Sequence, residues 1–339
     1  MGRLPFPRPP RLRLIVPSNV GALRPRHSLP ALQASVSDAA FSPDNSLFAL
    51  ATGDEVLIYH SSTGALAGRL IVGPMQAYTL TFHPDNRHIA VGGHNGSSLT
   101  IWDVNSFALV QRVVMLLPGT PNWFQPASIA FSKSGATMMA QGQDERLVIW
   151  DWNGARPALR RILQWPGTFN GPLRASPDGY WLAAARGDGR AGLYRYNLDG
   201  ELERQPGDFE TGRQVQTLCF DGASRHLIYA GGASETGHAE MIRLEDGQAV
   251  RRFGMSAAEG GGQVLGATVS PAAPLLVLSQ GSSLQVPGRL HIYRTDTGEL
   301  LRSIDMTSDV LVFSPDGRRL LIASWHVPGA GSLVQLWTA

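Results

Sequence analysis

Seven copies of one short pattern run through the 339 residues of this chain, each an apolar strand that stops at a Phe-Ser-Pro-Asp-Gly-like turn. The copies are Phe41-Ser42-Pro43-Asp44-Asn45, Phe82-His83-Pro84-Asp85-Asn86, Phe131-Ser132-Lys133-Ser134-Gly135, Ala175-Ser176-Pro177-Asp178-Gly179, Phe220-Asp221-Gly222-Ala223-Ser224, Val269-Ser270-Pro271-Ala272-Ala273 and Phe313-Ser314-Pro315-Asp316-Gly317. Their first residues are spaced 41, 49, 44, 45, 49 and 44 apart. A four-stranded propeller blade with loop insertions has a repeat of ~40 to 45 residues. The pattern takes precedence over chain length, which by itself would suggest two domains.

Each copy continues as strand, loop, strand, turn, strand. Third strands are the clearest: Val56-Leu57-Ile58-Tyr59, Leu99-Thr100-Ile101-Trp102-Asp103, Leu147-Val148-Ile149-Trp150-Asp151, Gly192-Leu193-Tyr194-Arg195, Met241-Ile242-Arg243-Leu244, Leu290-His291-Ile292-Tyr293 and Leu333-Val334-Gln335-Leu336-Trp337. Tight turns follow several of them, as at Asn153-Gly154, Asp199-Gly200 and Asp246-Gly247, where Gly or Asn supplies a positive φ. Second strands such as Leu320-Leu321-Ile322-Ala323 are continuous apolar runs, the pattern of a sheet covered on both faces. These features predict an all-β fold, a seven-bladed β-propeller of four-stranded antiparallel blades. The chain reaches a third strand at Trp337, so residues 21–29 are expected to supply the outer strand of the last blade. Leu12–Val16 is the competing candidate for that place. The expected organisation is a basic Pro/Arg-rich arm over residues 1–20 and the propeller over residues 21–339.

Cys219 is the only cysteine, which excludes an internal disulfide and a cysteine-based zinc site within one chain. It falls on a first strand, where a small buried apolar role is expected. No apolar stretch reaches the ~18 residues of a membrane span. The apolar run Leu12–Val16 is interrupted by Arg13 and stopped by Pro17, too short for a signal-peptide core, so the expected location is cytoplasmic. Among the 29 basic residues Lys133 is the only Lys, a bias that reflects coding composition more than demand for planar contacts. Residues 1–37 hold six Arg and no acid, a net +6, whereas the remainder is −4.

Trp102-Asp103 and Trp150-Asp151 at third-strand ends, together with the Phe-Ser-Pro-Asp-Gly turns and the period, resemble the WD-repeat family of seven-bladed propellers over about residues 21–339. The resemblance implies a scaffold for protein interactions. It also implies a structural Asp between second and third strands, matched by Asp54, Asp144 and Asp188 in three blades. The Gly-His dipeptide that often opens a family repeat is absent, so the hydrogen-bond network it anchors is expected to be incomplete.

Gly187-Asp188-Gly189-Arg190-Ala191-Gly192 spells a dinucleotide-binding pattern. That mechanism needs a strand, a turn and then a helix N-terminus, whereas strands are expected on both sides here. Arg186-Gly187-Asp188 and Asn95-Gly96-Ser97 match adhesion and glycosylation motifs by spelling only, because no secretion signal is evident. His83 and His88 stand five apart across a turn, and His94, His238 and His326 are expected in loops between second and third strands. Neither grouping has metal-ligand spacing. No nucleophile elbow or carboxylate pair stands out. No cofactor, metal or catalytic residue is therefore expected, and no small-molecule substrate.

The candidate functional residues are aromatic. Pro118-Gly119-Thr120-Pro121-Asn122-Trp123-Phe124 and Trp165-Pro166-Gly167-Thr168-Phe169-Asn170 join outer strands to the next inner strands, on the rim expected to carry Arg146, Arg186 and Arg190. Trp and Arg on loops have hot-spot composition. Trp123, Phe124, Trp165 and Phe169 either face a partner or fold inward and cap the grooves between blades. The favoured reading is a non-enzymatic scaffold or complex subunit that binds protein partners through this rim. Two other classes stay open: a lactonase-type propeller hydrolase, which the Trp-Asp endings disfavour, and an anionic partner or nucleic acid bound through the Arg-rich arm, whose affinity would fall steeply with salt.

Overall fold

Along the second strand of the first repeat, Leu47–Ala51, successive side chains point to opposite faces, and both faces are apolar. Phe48 and Leu50 pack with Val310, Leu321 and Leu336 on one side. Ala49 and Ala51 pack with Leu80, Ile89 and Trp102 on the other. A sheet with two oily faces needs a neighbour on each, and seven such sheets satisfy one another only in a ring.

The computed structural model shows this ring. It describes residues 12–93, 98–114, 125–142, 146–154, 156–164, 172–185, 190–196, 202–204, 209–210, 215–231, 237–254, 262–281, 288–324 and 331–339. Blade 1 comprises Asp38–Phe41, Leu47–Ala51, Glu55–His60 and Leu66–Ile71, ordered from inside to outside. Blades 2 to 6 begin on inner strands Ala77–Phe82, Pro126–Phe131, Leu173–Ala175, Val215–Phe220 and Val264–Val269. In blade 4 the short strand Phe209–Glu210 adds a fifth element to the third strand Arg190–Tyr196. Two short 3-10 turns, Pro17–Ala22 and Gly73–Met75, are the only helical elements among the described residues. Each of the seven seams between blades holds its own cluster of buried apolar side chains.

Blade 7 is composite. Val310–Phe313, Leu320–Ala323 and Val334–Thr338 come from the end of the chain, and Arg24–Ser28 pairs antiparallel with the last of them. The closing strand thus lies within residues 21–29. The apolar run at residues 12–16 has a different task. Ile15, Val20 and Leu23 are nearly fully buried in the seam between blades 6 and 7, among Leu275, Ile292, Phe313 and Trp337. Pro at the start of the 3-10 turn 17–22 fits because an N-terminal N–H there needs no partner. Arg302 then holds the end of this turn, donating from Nη1 to the carbonyls of Val20 at 2.8 Å and Leu23 at 2.7 Å.

The repeated turn works by local bonding. Ser42 Oγ donates to Asp44 Oδ1 at 2.6 Å and accepts from the Leu47 N–H at 2.9 Å. Ser176 with Asp178 and Ser314 with Asp316 repeat the arrangement. The fifth turn residue has a positive φ at Asn45 (63°), Asn86 (60°) and Ser224 (53°), a region Asn tolerates better than most residues. Asn45 and Asn86 also reach back to the preceding blade. Asn86 Oδ1 accepts the Asp44 N–H at 2.8 Å and Asn45 Oδ1 accepts the Asp316 N–H at 2.9 Å. Ser224 Oγ accepts the Asp178 N–H at 3.0 Å in the same way. The Asn45 bond spans the junction of the first and last blades.

Two outcomes follow from this closure. Removing residues 1–28 takes away the outer strand of blade 7 and three buried apolar anchors, so the melting midpoint should fall by about 10 °C or more or the transition lose its cooperativity; an unchanged calorimetric melt contradicts the assignment. Asn45→Gly should lose about 1 kcal/mol in denaturant unfolding, since it removes a bond but not the permitted φ, and Asn45→Ala should lose more because it adds left-handed strain. The reverse ranking would mean that the left-handed φ carries no penalty for Ala, and an unchanged Asn45→Gly that the side-chain bond contributes nothing.

Candidate functional site

Alternating strand direction sorts the connections of each blade onto two rims. Turns from first to second and from third to fourth strands share one, the turn rim. Loops from second to third strands and the connections between blades share the other, the loop rim. The aromatic candidates Trp123, Phe124, Trp165 and Phe169, together with Arg186, lie outside the described residues. Their segments join Ala108–Val114 to Pro126–Phe131, Pro157–Gln164 to Leu173–Ala175, and Trp181–Ala185 to Arg190–Tyr196, so all three belong to the loop rim.

Arg190 opens the third strand of blade 4, its backbone opposite Glu210. Arg146 opens the third strand of blade 3 opposite Gln164. Its side chain is only 5% exposed, folded into the blade end instead of displayed on a loop. His238 likewise opens a strand, His238–Arg243, and is not in a loop. His94 and His326 lie outside the described residues. Strands flank Gly187–Gly192 as expected, so this pattern lacks the helix that pyrophosphate binding needs.

On the axis, the inner strands of all seven blades line a cavity of about 460 Å³. Asp38 stands in it and ties blade 1 to blade 2, accepting from Thr79 Oγ1 at 3.0 Å, Leu80 N at 2.9 Å and its neighbour Ala39 N at 2.8 Å. Burial raises the pKa of its carboxyl, against the opposing charge of Arg174 and these hydrogen bonds. Arg174 Nη1 donates to the Leu173 carbonyl at 2.9 Å and to Ser128 Oγ of blade 3 at 3.3 Å. Cys219 lines the same bore and is half-buried. Its thiol donates to the Ala267 carbonyl of blade 6 at 3.3 Å, and burial pushes its pKa up against the pull of Arg174. These polar groups are spent on joining blades, and their chemistry is that of a tie.

On the turn rim, the fold brings together His83 and His88, which their spacing across a turn does not suggest. His88 Nδ1 lies 2.7 Å and His83 Nδ1 3.0 Å from Asp85 Oδ2. The donor atoms of all three lie within 4.8 Å of one another. His83 Nε2 bonds the Gly135 carbonyl of blade 3 at 3.0 Å, and Asp85 N donates to His83 Nδ1 at 3.1 Å. The His83 ring stacks on Trp152 at 4.5 Å and meets Phe131 edge-on at 4.8 Å. Blade 5 repeats the His-Asp half of this arrangement, with His226 Nδ1 2.9 Å from Asp221 Oδ2. Recurrence marks it as a lock on the turn, and the same donors could accept a metal only by giving up these bonds.

The Trp-Asp ending has a comparable local reason. Asp103 Oδ1 accepts the N–H groups of Asn105 at 2.9 Å and Ser106 at 3.0 Å, while Oδ2 accepts from Arg87 Nε at 2.7 Å. Trp102 Nε1 donates to Thr100 Oγ1 at 3.0 Å. Asp54, by contrast, is exposed, and it is its backbone carbonyl that serves the fold, accepting from Val72 and Gly73 at 3.0 Å each. The structural role implied for its carboxylate is not what the structure shows.

Desolvation opposes ionisation of Asp85, but the His88 ring, the N–H groups of Arg87 and His88 and the charge of His83 outweigh it and hold the carboxyl at about 2. A folded-state pKa below the ordinary value of 3.8 stabilises the protein above that value. That contribution disappears as pH falls through about 2. Asp85→Asn should therefore unfold less steeply between about pH 4 and pH 2 than the parent. Parallel acid-unfolding curves would show that the lock is energetically silent.

No protein-family model matches the chain. It is similar to Topless-related protein 2 of Oryza sativa subsp. japonica, 27% identical over 134 residues that make up 40% of this chain and 11% of that protein. Topless-related protein 1 of Arabidopsis thaliana is 23% identical over 157 residues, 46% of this chain and 13% of that protein. The protein transport protein sec13 of Aspergillus clavatus is 26% identical over 128 residues, 36% of this chain and 42% of that protein. The chain thus spans about a tenth of the length of the Topless-related proteins and under half of the sec13 protein. Seven four-stranded blades in a closed ring, third strands that end in Trp102-Asp103 and Trp150-Asp151, and this pattern of similarity make the chain a seven-bladed β-propeller of the WD-repeat type.

Proposed function

We propose that this propeller is a non-enzymatic interaction module, a scaffold or a subunit of a larger assembly, that docks protein partners through its loop rim. The observation that supports this reading most is the distribution of chain length around the ring. Long connections at residues 115–125, 165–172, 281–288 and 324–333 all belong to the loop rim, whereas the turn rim carries short turns closed by their own Ser and Asp side chains. The long connections thus leave from strand ends on one side of the ring, and binding residues are disproportionately found on loops held by such a scaffold.

In this reading Trp123, Phe124, Trp165 and Phe169 supply the apolar anchors, with Arg186 and Arg190 beside them and Arg146 buttressing the rim from within. The Arg-rich segment ahead of the propeller lies along an acidic partner face. No helix among the described residues is long and apolar enough to cross a membrane, and a cytoplasmic setting is part of the proposal.

The Trp123→Ala/Trp165→Ala double variant, tagged and used as bait in extract of the native host, should lose the partners that the parent captures. Its melting midpoint should stay within about 2 °C of the parent's. Retained capture with a fall of more than about 5 °C would assign these aromatics to capping the grooves between blades.

A further inference from the structure

On the turn rim, three of the seams between blades are plugged from above in different ways, and a fourth holds a groove. Over the seam of blades 1 and 2, Phe107 (φ 57°) lies on Gly68, which has no side chain to obstruct it. Over the seam of blades 2 and 3, Trp152 stacks on His83. Over the seam of blades 6 and 7, the segment from Ile15 to Leu23 is laid in and gripped by Arg302.

The seam of blades 5 and 6 instead holds an open groove of about 640 Å³, walled by Met241, Val250, Pro271 and Pro274 with Arg251 at its side. The register explains why it is open. Gly68 pairs with Ile58, Arg251 with Met241 and Arg302 with Ile292, each just beyond the outer-strand bulge. These three residues therefore hold one position in their blades. Likewise Gly298 (φ 83°) follows Tyr293 by the same five residues that separate Phe107 from Trp102. At this seam the plugging Phe has become Gly, and the Gly beneath it has become Arg, whose Cδ and Nη1 lie against Gly298 while the groove beside them stays open.

Arg251 stands where Arg302 stands but has no segment to hold. Its Nε is buried with no hydrogen-bond partner, and no carboxylate among the described residues pairs with it. The acids nearby are already engaged, Asp221 with His226 at 2.9 Å and Asp296 with Arg294 at 2.9 and 2.7 Å. A buried guanidinium N–H without an acceptor costs free energy, and the cost is recovered when an acceptor arrives.

We propose that the groove between blades 5 and 6 is a second docking site, which receives a short segment of a partner protein built like residues 14–23. Such a segment has an aliphatic anchor followed by a single turn, and the electronegative carbonyl end of the turn meets the unpaired Arg251. The apolar walls take the anchor, and the guanidinium takes carbonyls at the end of the turn, as Arg302 does through Nη1 one blade further on. This site lies on the opposite rim from Trp123 and Trp165 and does not depend on them.

The test uses the full-length chain and a fluorescein-labelled peptide of residues 12–24, read by anisotropy. Saturable 1:1 binding is expected, with a dissociation constant on the order of 10 to 100 μM. Arg251→Ala and the groove-mouth variant Val250→Glu should each weaken it by about tenfold or more, and the Trp123→Ala/Trp165→Ala variant should bind like the parent. Arg251→Ala should also melt no lower than the parent, because it removes an unsatisfied buried donor. Three results would overturn the proposal: no saturable binding, binding unaffected by Arg251→Ala, as exchange into the seam of blades 6 and 7 would give, or a melting loss of several degrees in Arg251→Ala, which would show that the guanidinium already serves the fold.

Discussion

Burial of both faces of every sheet is the constraint on which this molecule depends. A single blade such as Leu47–Ala51 with its neighbours would leave either Phe48 and Leu50 or Ala49 and Ala51 in water, and each large apolar side chain so exposed forgoes roughly 1.5–3 kcal/mol. The seven seams are therefore mutually dependent. Specificity for one stacking order comes from polar ties that accompany the apolar clusters: Asn45, Asn86 and Ser224 on the turn rim, and Asp38, Arg174, Thr217 and Cys219 along the bore.

This division has a functional side. Polar groups that line the axis could in principle serve a ligand, but Asp38, Arg174, Thr217 and Cys219 are hydrogen-bonded to the adjacent blade. On the turn rim, the groove between blades 5 and 6 places a polar group without a partner, Arg251 Nε, beside open space.

Much of the architecture was legible in the sequence, because a repeated turn with fixed local bonding leaves the same letters in each copy. Ser42 with Asp44 and Ser314 with Asp316 are examples, and the Trp102-Asp103 pair is legible for the same reason: its partners Asn105 and Ser106 are two and three residues away. Features that rest on distant partners were not legible. The apolar run at 12–16 reads equally well as a closing strand, and only its packing against Phe313 and Trp337 shows that it fills a seam. His83 and His88 look unrelated until the turn folds both onto Asp85, although a His at the strand start three residues after the turn Asp was a usable cue. Arg146 reads as a loop cation, yet the blade end encloses it. The exchange of Phe107 and Gly68 for Gly298 and Arg251 can be recognised only once the bulges fix the register.

The composite seventh blade carries a consequence for biogenesis. Arg24 pairs with Thr338, so a strand made before the rest of the ring waits for the ring's last strand before it has a partner. Until then the nascent array presents unpaired edges at both ends and an uncovered apolar face, the species most prone to stick to other chains. Sealing thus requires residues 334–338, and a translational pause or truncation between the first blade and residue 334 leaves a product that chaperones must shield or proteases remove.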